Sequence, residues 1–72
     1  MQIADAIRHM CDASGLGPVG ASRALGRSPM YLSALLSRGS CPRTDTLVQV
    51  ARACGYAVVL EREGERVTLE AD

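Results

Sequence analysis

Apolar positions recur every three or four residues through the first three quarters of the chain and then switch to alternation. Ile3, Ala6, Ile7 and Met10 predict a first helix from Gln2 to Ala13, ended by Ser14-Gly15. Leu16 is expected to drop into the same core. The stretch from Leu16 to Gly39, LGPVGASRALGRSPMYLSALLSRG, then predicts two short helices joined by a tight turn, one from Pro18 to Leu25 and one from Pro29 to Ser37. Gly17 and Ser28 are candidate N-caps, each followed by a proline whose missing N–H costs nothing at a first helical position. Gly26 and Gly39 stand where a helix end favours positive φ. A fourth helix starts at Arg43 or Thr44, carries Asp45 in its first turn, points Leu47, Val48, Val50, Ala51 and Cys54 inward, and ends at Gly55.

After Gly55 the pattern is that of strands. Tyr56-Ala57-Val58-Val59-Leu60 is apolar and β-branched, Glu63-Gly64 is a turn, and Arg66 to Leu69 alternates, so a β-hairpin follows. The expected architecture is mainly α: four helices in a unit over residues 1–55, and a hairpin extension over 56–72. Leu32, Leu35, Leu25, Leu47, Ala51, Ile7 and Met10 are expected to form the core. An isolated hairpin is marginal in water. Tyr56, Val58 and Leu60 can face the helices while Ala57, Val59 and Leu69 remain for another surface, so the hairpin is expected to pair edge to edge with that of a second copy, with Tyr56, Val59 and Leu69 as dimer contacts; the alternative is that it folds back over helices 1 and 4.

The third helix has two unlike faces. Leu32, Leu35 and Leu36 repeat toward a core, while Met30, Ser33, Ala34 and Ser37 repeat on the other side without a charge. A helix facing only water usually carries Lys, Glu or Arg there; small neutral residues permit close approach to another surface. Base edges in a DNA major groove are one such surface, because hydroxyls hydrogen-bond there and methyl or thioether groups meet the thymine methyl.

Charge changes the picture through its distribution. The formal net charge is zero, which by itself argues against a nucleic-acid partner. Yet Met1 to Gly55 holds six Arg against three Asp, and Tyr56 to Asp72 holds two Arg against four Glu and one Asp, so a basic helical part carries an acidic tail. Hydrophobic residues make up 47% of the chain with no Phe or Trp, so Leu, Val, Ile and Ala must fill the core. Three cysteines, Cys11, Cys41 and Cys54, suit neither a disulfide framework nor a metal site; Cys11 and Cys54 read as core residues and Cys41 as a loop thiol. His9 reads as a surface residue, and His9 with Cys11 points in two directions on a helix. No nucleophile–base pair, phosphate loop, cofactor motif, secretory leader or membrane-length apolar run is visible, so no enzyme activity, metal or cofactor is expected and the expected location is cytoplasmic.

With these residues in place the sequence resembles the phage-repressor and Cro-like (XRE-like) helix-turn-helix family over roughly Ile3 to Tyr56. The resemblance rests on Ala24-Leu25-Gly26, Ser28 through Ser33, Arg38-Gly39, Pro42, and Leu47 through Ala51 to Gly55. It departs from the family at Gly17-Pro18, where members often carry Ser-Gln, and at Ala21-Ser22 in place of Leu-Ala. What it implies is a lambda-repressor-like domain that binds operator DNA as a homodimer. Carried over by position, Pro29, Met30, Ser33, Ala34 and Ser37 are the base-edge candidates, and Arg23, Arg27, Ser28, Tyr31, Arg38 and Arg43 the phosphate candidates.

Two functions from different classes follow. One is a sequence-specific regulator of transcription that binds double-stranded DNA, such as a phage or mobile-element repressor. The other is a protein-interaction module, a small antitoxin or adaptor, that uses the same fold on a protein partner.

Overall fold

The computed structural model describes residues 1–71: four helices, α1 (Ile3–Ser14), α2 (Gly17–Ala24), α3 (Tyr31–Ser37) and α4 (Thr44–Ala53), then the strands β1 (Val59–Arg62) and β2 (Glu65–Thr68). Asp72, the last residue of the expected extension, lies outside the described residues. Helix α2 packs on the other three helices, and α1 also packs on α4. Each helix sends its apolar stripe to one core: Ile7, Met10 and Cys11 from α1, Ala21 from α2, Leu32, Leu35 and Leu36 from α3, Val50 and Ala51 from α4, with Cys54 just beyond. Full burial of an Ile or Leu side chain contributes about 1.5–3 kcal/mol, so this aliphatic cluster holds the helices without an aromatic residue.

Of the expected core, Ile7, Met10, Leu32, Leu35 and Ala51 are buried, whereas Leu25 and Leu47 are only partly buried at its margin. Val48 and Val50, on the neighbouring rows of α4, are the buried large residues of that helix. Leu16 does not enter the core. It is the N-cap of α2, it is 40% exposed, and its side chain lies over Gly20, where an added Cβ would stand 3.1 Å from Leu16 Cβ. That contact gives the glycine, which costs roughly 1 kcal/mol in a helix relative to Ala, a packing role. Ile3 is also exposed, beside the loop at Gly39 to Pro42.

The helix starts differ from expectation by one or two residues. Gly17 is the first residue of α2 rather than its cap. Pro29 and Met30 precede α3: the Tyr31 N–H donates to the Ser28 carbonyl at 3.0 Å, closing a turn with Pro29 at its second position, where the fixed φ of proline suits it. Between α2 and α3 the chain reverses at Gly26 (φ 72°), with Gly26 N–H donating to Arg23 O at 2.9 Å and Arg27 N–H to Ser22 O at 3.0 Å. This pair of bonds satisfies the last carbonyls of α2 and needs the left-handed backbone that glycine adopts without a Cβ clash.

The hairpin pairs Val59 with Thr68, Leu60 with Val67, Glu61 with Arg66 and Arg62 with Glu65. Both charged pairs are closed as ion pairs: Arg62 Nε lies 2.6 Å from Glu65 Oε1, and Arg66 Nη2 lies 2.6 Å from Glu61 Oε2. Every strand residue is exposed. Val58, at the root, packs on the helical core, and Leu69 and Ala71 beyond β2 are half-buried beside α4, but Leu60 does not face the helices as expected and stands 59% exposed. Tyr56 is 39% exposed; its ring meets His9 of α1 edge-on, with centroids 6.2 Å apart.

Candidate nucleic-acid interface

Three local devices aim α3. Its inner face is anchored by Leu32, Leu35 and Leu36, all buried. Its start is tied to α2 by Ser22, a fully buried residue whose Oγ accepts the Leu32 N–H at 3.1 Å and donates to the Pro18 carbonyl at 2.7 Å. Helix starts leave their first N–H groups without intrahelical partners. One of those groups on α3, buried, is thus supplied with its acceptor by another helix. Finally, Gly39 N–H donates to Leu36 O, which ends the helix after two turns.

The outer face carries the expected base-edge candidates. Pro29 and Met30 are exposed at the entrance to α3, Ala34 and Ser37 are exposed on it, and Ser33 is half-buried. Ser33 and Ser37 share a shallow groove with Leu36, with Pro18 from the start of α2, and with Arg8 and Asp12 from α1. Nothing in the sequence places the two α1 residues beside this face. Helical periodicity within α1 puts Arg8 and Asp12 on one side, but only the packing of α1 on α2 brings that side to α3.

The phosphate candidates divide by what already holds them. Arg27 lies over the Tyr31 ring, 4.9 Å from its centroid, so guanidinium and ring steady each other at the N-terminal end of α3. Ser28 Oγ accepts the Met30 N–H at 3.3 Å and so caps the turn. Arg43 is drawn to Asp45, 3.5 Å away. Among the described residues Arg8, Arg43, Arg62 and Arg66 have a carboxylate within 4.0 Å, and Arg23, Arg27, Arg38 and Arg52 have none. Three of those four unpaired cations are sequence candidates; Arg52, in the last turn of α4, had no signal in the sequence beyond its charge. The acidic hairpin pairs its own arginines, which leaves unneutralised positive charge on the helical part.

The thiols fall as expected, Cys11 and Cys54 buried and Cys41 exposed. Burial and, after it, the neighbouring Cys54 together push the Cys11 thiol up to about 11. Among the described residues no three His, Cys, Asp or Glu side chains come together to hold a metal ion, and no helix is long and apolar enough to cross a membrane. Comparison with protein-family models, with curated proteins and with solved structures gave no match.

Proposed function

We propose that this protein is a sequence-specific regulator that binds double-stranded DNA, with α2, the turn at Gly26 and α3 acting as a helix-turn-helix of the lambda-repressor kind. The observation that carries the reading is the outer side of α3: uncharged, exposed at Met30, Ala34 and Ser37, and bordered in sequence by Arg27 and Arg38, neither of which has a carboxylate partner among the described residues. Small hydroxyl, methyl and thioether groups read base edges while the arginines meet phosphates, the usual division between specificity and positioning.

The protein acts as a homodimer in this reading. Val59, Leu60 and Val67 are large apolar residues exposed on a two-stranded sheet with unpaired edges, a combination that water does not favour and that strand addition by a second copy relieves. Leu60 and Val67, opposite each other in register, join Tyr56 and Val59 as the interface residues; Leu69 is half-buried and contributes less. The same exposed hairpin favours the second reading, a protein-interaction module that binds a different chain there. Selection from a pool of random duplexes separates the two. Enrichment of a palindrome with half-sites about one helical turn apart supports the regulator; no enrichment at low salt refutes it.

A further inference from the structure

The three aspartates of the helical part do not behave alike. Asp5 stands in the first turn of α1 and Asp45 in the first turn of α4, where the N-terminal end of a helix favours an anion, and each has an arginine at 3.5 Å. Asp12 stands in the last turn of α1, at the carbonyl end, which disfavours an anion; that turn has no basic residue, and no cation lies within 4.0 Å of the Asp12 carboxylate among the described residues. Arg8, one turn earlier on the same side, is engaged by Asp5 instead. Asp12 therefore adds nothing to the stability of α1, and what its charge does depends on what it faces. Asp12 is exposed and lines the groove that also holds Ser33 and Ser37.

We propose that Asp12 is an electrostatic brake on the α3 surface, a carboxylate that repels the phosphates of any duplex approaching Ser33 and Ser37 and so keeps binding to arbitrary sequence weak. The proposal rests on the reading of that face as a DNA-binding surface. A fixed negative charge beside a phosphate track opposes the counterion release that drives binding to any sequence. It acts on every duplex alike. Contacts made only with the right bases then have to carry the complex, which raises the dependence of occupancy on sequence.

The test uses the full chain, with Asp12→Asn and Asp12→Arg beside the parent, and fluorescence anisotropy on the selected duplex and on unrelated duplexes of the same length from 50 to 200 mM salt. Asp12→Asn is expected to tighten binding to all of them by a similar factor, about threefold to tenfold at the lowest salt, with the gain shrinking as salt screens the carboxylate. Asp12→Arg is expected to do more in the same direction. Asp12→Asn also melts a few degrees higher, because it removes an anion from a helix C-terminus, and this reports that the fold is intact. Unchanged affinities with a duplex-binding parent overturn the proposal and leave the DNA reading standing. Loss of affinity for the selected duplex alone also overturns it, since Asp12 then accepts a hydrogen bond from a base. Failure of the parent and both variants to bind any duplex overturns the DNA reading, and the proposal falls with it.

Discussion

The hydroxyl of Ser22 on α2 receives the backbone N–H of Leu32 on α3 across 3.1 Å, ten residues apart in the chain and out of contact with solvent. This bond, together with the buried Leu32, Leu35 and Leu36, seats α3 against α2. Removing the hydroxyl leaves a buried donor without an acceptor, which costs about 1–3 kcal/mol. Ser22→Ala should therefore lower the urea-derived stability by that amount and weaken duplex binding, because the helix it positions is free to shift. A loss below about 0.5 kcal/mol would mean that water or a neighbour takes its place.

Core and margin should separate cleanly in stability measurements. Leu32→Ala removes a side chain with no exposed surface and should cost about 2–5 kcal/mol, with Leu35→Ala in the same range. Leu16→Ala, at a 40% exposed site, should cost less than about 1 kcal/mol. Equal losses at Leu16 and Leu32 in denaturant titrations would contradict the packing described here.

On DNA, the outward residues of α3 should govern which sequence is bound and the arginines how tightly. Ser33→Glu or Ser37→Glu should abolish specific binding. Arg38→Ala and Arg27→Ala should weaken all duplexes alike and reduce the salt slope by about one each. Arg43→Ala should do less, because Asp45 already holds part of that charge. Anisotropy titrations at several salt concentrations decide: a change in base preference without a change in slope for Arg38→Ala would reverse the roles.

The hairpin can be tested without disturbing the helices. Leu60→Glu places a charge on a residue exposed in the single chain, so it should leave the melting temperature of the monomer nearly unchanged while shifting sedimentation from dimer to monomer. Deletion after Gly55 should have the same effect on mass. A full-length protein that sediments as a monomer at high micromolar concentration would exclude the hairpin as a dimer contact.

Alkaline pH should destabilise the fold through Cys11. Its thiol ionises near 11 when folded, two units above the value of 9.0 for an unhindered thiol, so the unfolded chain loses this proton first. The stabilisation is complete below about pH 9 and is lost progressively as pH rises toward 11. Melting temperature should fall over that window, and Cys11→Ala, although less stable throughout, should fall less steeply. At pH 8 a disulfide reagent should label Cys41 rapidly and the two buried thiols only on unfolding.

Much of this molecule is legible along the chain because helix and hairpin signals are local. The four helices, the glycine at the α2 end, the turn at Glu63-Gly64 and the leucine side of α3 each follow from spacing within one element. The neutral outer face of α3 was equally legible, since it is the complement of Leu32, Leu35 and Leu36. Burial is a different matter, because it depends on what stands opposite. Leu16 and Leu60 have the composition of core residues but meet, respectively, Gly20 at the surface and open solvent, while of the inward residues expected on α4 Val48 and Val50 are buried and Leu47 only partly so. Charge pairing is local: among the described residues Arg8, Arg43, Arg62 and Arg66 each meet a carboxylate close by in the chain, at Asp5, Asp45, Glu65 and Glu61, within a helix turn or across the hairpin. The role of Ser22 and the approach of Asp12 to Ser33 and Ser37 belong entirely to the tertiary structure, because a hydrogen bond or a shared groove between helices leaves no periodic trace in either one.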